Sequence, residues 1–323
     1  MSDPYNEIND VAPSSLKHII GQKSVKAQVA VALEAAFADG KRFDSSLLVG
    51  APGLGKSALA HVIALEMASG FHEVLGQSIA GSADLNALLL GAQTKDVIHI
   101  DEIHELGKRL QTALYLAVDQ RKLFIPSSLP GRKPQAIPIA DFTLLLSTTD
   151  EYRLLQPLRD RMRLVLRFEF YSNDDLAEVV RQRCSALRWE VDEPVLPLIA
   201  QRARGTPRLA LRLLQACRRV CRAAGEVGIT IDHLHRACTL EQIDNLGLGP
   251  VEQKYMVVLL DGATRLNVLA SMLGLPARTI SQVTEPFLVR AGLIAKDNQG
   301  CRQLTAEGRE HLIRSRQQHQ PCA

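Results

Sequence analysis

Apolar residues follow two different patterns along the first half of the chain. Short apolar runs at residues 46–50, 96–101 and 142–147 are typical of strands that are buried on both faces of a sheet. Helical spacing appears at residues 24–38 and 56–68. Strands separated by helices predict βαβ units and a mostly parallel sheet. The predicted fold class of this part of the chain is therefore α/β.

A segment rich in proline and serine, at residues 123–141, interrupts this alternation. It has apolar residues on both flanks and the sequence PGRKP at its centre, which predicts a projecting hairpin or a long loop. We leave two interpretations open for it, a plain surface loop and an arm that contacts a protein partner.

The second half of the chain changes pattern twice. Residues 172–245 have the helical period of 3.6 and predict a small helical domain. After a Gly/Pro-rich boundary, residues 246–323 give a helix, a turn, two helix-length segments, a short strand and a polar turn. This order is typical of a winged-helix domain. The predicted domains are thus 14–171, 172–245 and 246–323, and the polar, acidic residues 1–13 predict a loose N-terminal tail.

The composition excludes several classes of protein. Hydrophobic residues make up 46% and charged residues 23% of the chain, as in ordinary soluble globular proteins. No run of about 18 apolar residues predicts a membrane helix, and the N-terminus lacks the pattern of a signal peptide. The six cysteines form no CxxC pair, so we expect free thiols in the cytoplasm.

The net charge of +3 neither requires a nucleic acid partner nor excludes one. The excess is confined to one region, because residues 246–323 contain nine Lys and Arg against six Asp and Glu. We expect the basic side chains of this region to contact DNA phosphates. They are Arg265, Arg278, Arg290, Lys296 and Arg302.

The strongest chemical signal is the sequence from Gly50 to Ser57, GAPGLGKS. It follows a predicted strand and opens a predicted helix, as the phosphate-binding loop (P-loop) of nucleotide-hydrolysing proteins does. Glycines let the backbone N–H groups turn toward phosphate oxygens. Lys56 is expected to reach the β- and γ-phosphates, and Ser57 to supply a hydroxyl to Mg²⁺. The sequence therefore predicts a nucleoside triphosphate site.

Further polar side chains follow the other predicted strands. Asp101 is expected to bind the metal, and Glu102 to polarise the attacking water. Thr148 or Thr149 follows the next strand, where a hydroxyl can touch both the γ-phosphate and the water. We interpret His99 as a packed core histidine, and His104 as a side chain that contacts the site indirectly.

Arginines in two further motifs are candidates for phosphate contacts. Arg159 and Arg161, in the sequence PLRDR, form either a solvated basic loop or a group that reaches the nucleotide of a neighbouring subunit. Arg208 follows Thr206-Pro207 at a predicted helix start. Because a cation is unfavourable at a helix N-terminus, its position suggests an anionic ligand.

With these elements in this order, the chain resembles AAA+ ATPases and, more specifically, the RuvB family of bacterial Holliday-junction branch-migration motors. The resemblance extends from about residue 16 to residue 312. The motifs that carry it are IGQ at 20–22, PGLGK in the P-loop, IDEIH at 100–104, PLRDR at 157–161, RGTPR at 204–208 and EPFL at 285–288.

The resemblance implies an ATPase core, a helical lid, a DNA-contacting winged helix, and a homo-hexameric ring around duplex or branched DNA. It implies that Lys56, Glu102, Thr148 or Thr149, Arg161 acting in trans, and Arg208 take part in hydrolysis, with Ser57 and Asp101 at Mg²⁺. The implied nucleotide-binding residues are Ile20, Gly50, Gly53, Leu54, Gly55, Lys56, Ser57, Ala58, Tyr171, Pro207 and Arg208. The 123–141 segment matches the hairpin by which RuvB meets its junction-binding partner RuvA.

Several motifs depart from the family pattern. The sequence AMED becomes AVDQ at 117–120, and the wing sequence RTPRGR becomes KDNQGC at 296–301, followed by Arg302. We therefore expect weaker or differently directed DNA binding by the wing, as in a divergent, specialised member. Two other functions remain open beside a DNA motor. They are a nucleotide-switched DNA-binding or adaptor protein that does not translocate, and a clamp-loader-like ATPase with a protein client, which the winged helix disfavours.

Overall fold

The computed structural model describes Ile8, residues 11–125 and residues 135–318. Most of the predicted N-terminal tail and Cys322 lie outside these residues, and Ile8 is buried. Two compact units are present. The first extends to Asp175 and also includes Thr206–Arg208, and the second contains Leu176–Gly205 and the chain from Leu209 onward.

A five-stranded sheet forms the centre of the first unit. Every neighbouring pair of strands is parallel, and the strand order is β2-β3-β6-β1-β7, so the predicted α/β fold is confirmed. The strands of this unit are β1 (Ser46–Val49), β2 (Phe71–Leu75), β3 (Val97–Asp101), β4 (Lys122–Ile125), β5 (Gln135–Pro138), β6 (Thr143–Thr148) and β7 (Leu164–Arg167). The helices are α1 (Lys23–Ala38), α2 (Lys56–Glu66), α3 (Ser82–Gly91), α4 (Lys108–Gln120) and α5 (Gln156–Arg159).

Each face of this sheet carries its own apolar core, because successive side chains of a strand point to opposite faces. In β6, Leu144 and Leu146 belong to the core that contains Ile98 and Ile100. Leu145 belongs to the core on the other side, with Leu48 of β1. All six residues of β6 are buried, which explains why its apolar pattern is continuous rather than alternating.

The predicted projecting segment has a hairpin at its base. β4 pairs antiparallel with β5, with Leu123 opposite Ile137. Phe124 exposes half of its side chain on this hairpin. Residues 126–134, which include the PGRKP sequence, lie outside the described residues, so the hairpin alternative is confirmed only for the two strands.

The second unit begins with helices and ends with a small sheet. Its helices are α6 (Asn173–Leu187), α7 (Val195–Arg202), α8 (Pro207–Ala223), α9 (Ile231–Glu241), α10 (Pro250–Val258), α11 (Leu266–Leu273), α12 (Ala277–Thr279), α13 (Glu285–Arg290) and α14 (Ala306–Gln318). The first residues of α6 and α8 are counted with the first unit. A π-helical segment, Ile280–Thr284, joins α12 to α13.

The end of this unit has the predicted winged-helix layout. Strands β8 (Thr264–Arg265), β9 (Ile294–Lys296) and β10 (Cys301–Leu304) form an antiparallel sheet in the order β8-β10-β9. The helices enclose a core that includes Tyr255, Met256, Ile280 and Leu288. The domain boundaries that we predicted after residues 171 and 245 stay predictions.

Three further observations concern the cysteines, membrane spans and metal clusters. Cys184, Cys217, Cys221, Cys238 and Cys301 are free thiols, and the first four are buried. None of the described helices is both long and apolar enough to span a membrane. The described residues also contain no cluster of three or more His, Cys, Asp or Glu that could hold a metal ion.

Candidate nucleotide-binding and hydrolysis site

The carboxyl ends of three parallel strands bring the predicted site residues together. Val49 of β1 lies opposite Thr148 of β6, and Ile100 of β3 lies opposite Leu146. The P-loop that begins at Gly50, the carboxylate of Asp101 and the hydroxyls that end β6 therefore share one edge of the sheet. This edge is where ligands bind in open α/β sheets.

Two glycines give the P-loop its shape. Gly53 and Gly55 have φ angles of +79° and +94°, which residues other than glycine rarely adopt. A Cβ atom on Gly53 would lie 2.8 Å from Cβ of Arg208. Gly55 precedes the first residue of α2, so the loop leads directly into a helix N-terminus. Backbone N–H groups in this arrangement attract phosphate.

Lys56 is buried at the start of α2, with 6% of its surface exposed. Its ammonium group donates to the carbonyl oxygens of Gly50 at 2.8 Å and Ala51 at 3.0 Å. Burial lowers the pKa of Lys56 below its usual range and Arg208 acts in the same direction, while Glu102 and Asp101 oppose the shift. The P-loop thus holds a desolvated cation, which attracts an entering phosphate more strongly than a cation in water would.

Ser57 and Asp101 fit the two protein ligands expected for Mg²⁺. The Ser57 hydroxyl donates to Oδ2 of Asp101 at 3.1 Å. Two neighbouring ligands of an octahedral Mg²⁺, each about 2.1 Å from the metal, are about 3 Å apart. The oxygens therefore already have the spacing that a shared metal requires.

The backbone of Glu102 is strained, with φ and ψ both at 48°. Such left-handed geometry in a residue other than glycine costs about 1–3 kcal/mol and is common in functional sites. Gly76 allows it, because a Cβ there would lie 2.6 Å from the carbonyl oxygen of Glu102. The turn directs the carboxylate toward Thr149, whose hydroxyl donates to Oε2 at 3.2 Å.

Thr148 and Thr149, which the sequence left as alternatives, have different surroundings. The Thr148 side chain is fully buried. Its hydroxyl lies 3.1 Å from Nδ1 of His104 and accepts from the Asp150 N–H at 3.0 Å. Thr149 is exposed and reaches Glu102 directly. The geometry therefore favours Thr149 as the hydroxyl next to the attacking water, with Thr148 beneath it.

Two histidines support this edge of the sheet. His104 lies 3.1 Å from Oε2 of Glu102 and 3.2 Å from Oε1 of Glu105, in agreement with the indirect contact that we predicted for it. His99 is fully buried between Glu73 at 2.9 Å and Ser147 at 2.7 Å, which confirms its interpretation as a core residue. The contribution of Glu73 was missed, because β2 was not predicted.

Tyr171 lies between the P-loop and the turn that contains Ile20. Its hydroxyl donates to the carbonyl of Leu54 at 3.3 Å, and burial raises the pKa of Tyr171 to about 12. A Cβ on Gly21, next to Ile20, would lie 3.0 Å from the Tyr171 ring. Gln22 fixes this turn by exchanging hydrogen bonds of 2.7 and 3.1 Å with the backbone of Glu169, a contact that the sequence alone did not reveal.

The remaining predicted nucleotide-binding residues lie around the same loop. Leu54 is buried and supports it, Ile20 and Ala58 are half-buried, and Pro207 begins α8. Arg208 is exposed, and its backbone N–H points to the carbonyl of Gly53 at 3.4 Å. This contact places Arg208 beside the P-loop, and its role as an arginine that senses the nucleotide stays a prediction.

Arg161, the predicted arginine finger, is held by its own chain. It forms an ion pair with Asp119 at 3.2 Å, donates to the carbonyl of Pro157 at 2.9 Å and stacks on Tyr115 at 4.8 Å. Arg159 instead bonds Gln156 and lies 6.0 Å from the ring centre of Tyr152. Their action on a neighbouring subunit stays a prediction.

The five predicted DNA contacts fall into two groups. Arg265 and Arg278 are exposed, and neither has an ion-pair partner within the part of the chain that the structure describes. Arg290 donates to the carbonyl of Arg204 at 2.6 Å. Lys296 lies on β9 and its ammonium forms an ion pair with Glu285 at 2.7 Å.

We correct the prediction for Arg302. Its surface is 9% exposed, and its Nε donates to Oε1 of Glu285 at 2.7 Å. Glu285 is itself 1% exposed and also accepts from the hydroxyl of Tyr255 at 3.0 Å. Arg302 therefore neutralises a buried carboxylate inside the winged helix and is not available to a DNA phosphate.

Comparisons with known proteins agree with this fold and domain order. Residues 11–168 match the family model of the Holliday junction DNA helicase RuvB P-loop domain, residues 171–244 that of the RuvB AAA lid domain, and residues 245–313 that of the RuvB C-terminal winged helix domain. The Holliday junction branch migration complex subunit RuvB of Thermotoga maritima is 36% identical over 93% of this chain and 91% of its own length. That of Koribacter versatilis is 37% identical over 89% of this chain and 81% of its own.

Solved structures of RuvB are also similar to this chain. The Thermotoga maritima RuvB Holliday junction branch migration motor superposes with a TM-score of 0.80 at 34% identity, covering 93% of this chain and 97% of that one. A mutant of the same Thermotoga maritima protein gives a TM-score of 0.83 at 34% identity and covers 94% and 99%. With its P-loop ATPase core, its lid and its winged helix all matched over nearly their full length, this chain belongs to the RuvB family.

Proposed function

We propose that this chain hydrolyses ATP to drive branch migration of Holliday-junction DNA. One observation supports the proposal: Lys56, Ser57, Asp101, Glu102 and Thr149, the side chains expected to act in hydrolysis, lie together at one edge of the sheet. A protein that only binds nucleotide has no need of a strained glutamate held beside a hydroxyl. The three matched family models are all domains of RuvB, a Holliday junction DNA helicase, and therefore support DNA as the substrate.

The side chains suggest how hydrolysis proceeds. The P-loop N–H groups and Lys56 hold the β- and γ-phosphates in place, and Lys56 exchanges its bonds to Gly50 and Ala51 for phosphate oxygens. Ser57 and Asp101 would hold Mg²⁺, which supplies positive charge to the phosphate oxygens when bound. Glu102, oriented by Thr149 and His104, accepts the proton of the attacking water.

Assembly and partners belong to the same proposal. A homo-hexameric ring would allow Arg161 to leave Asp119 and stabilise charge on the γ-phosphate of the next subunit. The β4–β5 hairpin, with Phe124 exposed at its base, would contact a RuvA-type junction-binding protein. Arg265 and Arg278 would contact DNA phosphates, and a ring would multiply these weak contacts.

The state of the wing favours a second candidate, a nucleotide-switched adaptor that binds DNA without moving it. Glu285 pairs with both Lys296 and Arg302 and offsets one of their two positive charges, so the wing offers DNA less charge than its sequence suggests. In such an adaptor, ATP would control assembly but its turnover would be insensitive to DNA.

ATP turnover with and without duplex DNA at low salt separates the two candidates. A motor is expected to hydrolyse ATP several-fold faster on DNA. The Glu102→Gln variant serves as the control, because it is expected to bind ATP normally and to lose turnover by about 10²–10⁴-fold. Turnover that does not respond to DNA would reject the motor and leave the adaptor.

A further inference from the structure

Arg204 lies between α7 and α8 and contacts α10, α13 and the segment that precedes α10. Its Nε donates to the carbonyl oxygen of Gly247 at 2.7 Å, and Nη1 donates to the carboxylate of Glu252 in α10 at 2.7 Å. The guanidinium also lies 5.1 Å from the ring centre of Phe287 in α13. The side chains of Arg204 and Glu252 are 17% and 14% exposed, so this ion pair is largely shielded from water and ions.

The backbone of Arg204 is part of the same cluster. Its φ angle is +52°, a left-handed conformation that persists only when surrounding contacts hold it. Arg290 of α13 supplies one, since its Nη2 donates to the Arg204 carbonyl oxygen at 2.6 Å. Arg290 also lies 5.3 Å from the Phe287 ring centre. The winged helix thus contacts Arg204 through α10, α13 and the segment that precedes α10.

That segment, residues 244–249, is held by several hydrogen bonds and a close backbone contact. Asp244 accepts hydrogen bonds from the N–H groups of Leu246 at 2.9 Å and Leu248 at 2.8 Å, and pairs with His311 of α14 at 2.7 Å. A Cβ on Gly247 would lie 2.0 Å from the carbonyl oxygen of Arg202. Because these contacts restrain the segment, we expect a displacement of Arg204 to pass to the winged helix.

Along the chain, Arg204 is only four residues from Arg208. The short loop Gly205-Thr206-Pro207 joins them, and Arg208 belongs to the compact unit that holds the P-loop. Proline fixes one backbone angle of this loop, and α8 begins at the proline. A change in the position of Arg208 when the nucleotide changes therefore has only three intervening residues to cross before it reaches Arg204.

We propose that Arg204 is a positioning residue that couples the nucleotide site to the winged helix. The arginine takes no part in binding ATP or DNA, but it transmits the state of Arg208 to α10 and α13. The proposal rests on the proposed function, because it assumes that DNA bound by the winged helix changes ATP turnover.

The test compares Arg204→Gln and Glu252→Gln with the control Arg212→Gln. Arg212 is a lid arginine that is 69% exposed and lies 3.7 Å from its carboxylate partner Glu241. In the two cluster variants, basal kcat and KM for ATP should stay within about twofold of wild type, while stimulation by DNA should fall by about fivefold or more, the lower range of measured couplings between sites. The control should keep full stimulation.

Arg204→Lys covers the case in which Arg204→Gln fails to fold. A single ammonium group cannot serve Gly247, Glu252 and the Phe287 ring together, so this variant should fold and still lose most of the stimulation. A purely structural role would instead lower the melting temperature and the basal rate in parallel. Normal stimulation in a folded Arg204 variant and in Glu252→Gln would overturn the coupling role, whereas a wild-type protein without stimulation would overturn the proposed function instead.

Discussion

At the scale of single residues, the hydrolytic edge depends on which of two adjacent hydroxyls faces the water. The sequence placed Thr148 and Thr149 at the end of a strand but could not separate them. The left-handed turn at Glu102 makes the difference, because it brings the carboxylate to Thr149 and leaves Thr148 below His104. This turn depends on the contact with Gly76, which is distant in sequence.

Two valine variants test this assignment. Thr149→Val is expected to lower kcat at least about tenfold, because Glu102 loses the hydroxyl that orients it, while the free energy of unfolding changes by less than about 0.5 kcal/mol. Thr148→Val is expected to cost about 1–3 kcal/mol of stability, because the Asp150 N–H loses its acceptor. Urea unfolding and steady-state ATPase rates measure both. The opposite pattern would assign the catalytic contact to Thr148.

The buried Lys56 predicts a pH dependence of nucleotide binding. Its lowered pKa means that the ammonium loses its proton at a lower pH than an ordinary lysine, whose pKa is about 10.4. Below the lowered pKa the charge is kept in a desolvated site at a cost to stability. That cost disappears as the pH rises above the lowered pKa. The free energy of unfolding should therefore increase between the lowered pKa of the folded protein and the ordinary pKa of the unfolded chain.

The affinity for nucleotide should move in the opposite direction. It should fall as the pH rises through the lowered pKa of Lys56, because the cation that meets the phosphates is lost. Titration of a fluorescent ATP analogue between pH 7 and pH 10 measures this decline. The Lys56→Arg variant is the control, since arginine stays protonated throughout, and an equal decline in both proteins would show that another group is responsible.

At the scale of elements, the sequence predicted the strands and helices whose own burial produces a clear hydrophobic pattern. The central strands β1, β3 and β6 are mostly apolar and almost fully buried, and they were predicted to within one or two residues. The edge strands β2 and β7 were missed, because their half-exposed positions give neither a continuous apolar run nor a clear alternation. The helices of the lid and the winged helix followed from their period of 3.6.

The basic residues of the wing show what a sequence cannot reveal. Lys296 and Arg302 are equally basic in the sequence, but the partner of both is Glu285, a buried carboxylate in a helix that packs behind the sheet. Hydrogen bonds from Arg302, Lys296 and Tyr255 hold the pKa of Glu285 below its usual range, although burial acts in the opposite direction. Only the tertiary structure decides which arginine is free for DNA.

Two alanine variants in the winged helix should therefore behave differently. Arg278→Ala should reduce the slope of log affinity for DNA against log salt by about 1, because one phosphate contact is lost. Arg302→Ala should leave that slope unchanged and destabilise the winged helix by about 3–5 kcal/mol, because Glu285 loses its main partner in a buried site. Fluorescence anisotropy over a salt series and thermal unfolding measure the two effects. A reduced salt slope in a folded Arg302→Ala protein would restore Arg302 as a DNA contact.

At the scale of the whole molecule, hydrolysis is proposed to depend on a neighbouring copy of the chain. Arg161 is restrained by Asp119 and Tyr115, and its proposed target is the nucleotide of the next subunit in the ring. Arg161→Ala and Lys56→Ala should each abolish most turnover. Mixed in equal amounts, they should recover activity, because about a quarter of the interfaces in a random ring combine an intact Lys56 with an intact Arg161.

The mixing experiment has a clear negative outcome. If Arg161→Ala alone hydrolyses ATP at the wild-type rate, Arg161 is not the arginine finger. If the mixture stays as inactive as the two separate variants, the two residues act within one subunit rather than across an interface. The Arg159→Ala variant serves as the matched control, because it changes the other arginine of the same loop.

The most direct test of the central claim follows a synthetic four-way junction with labelled strands, incubated with ATP and Mg²⁺, alone and with a RuvA-type junction-binding protein. A branch-migration motor should convert the junction into its two duplex products at a rate that depends on ATP hydrolysis, and the Glu102→Gln variant should leave the junction intact. A junction that remains intact under both conditions, while the wild-type protein hydrolyses ATP, would contradict the account.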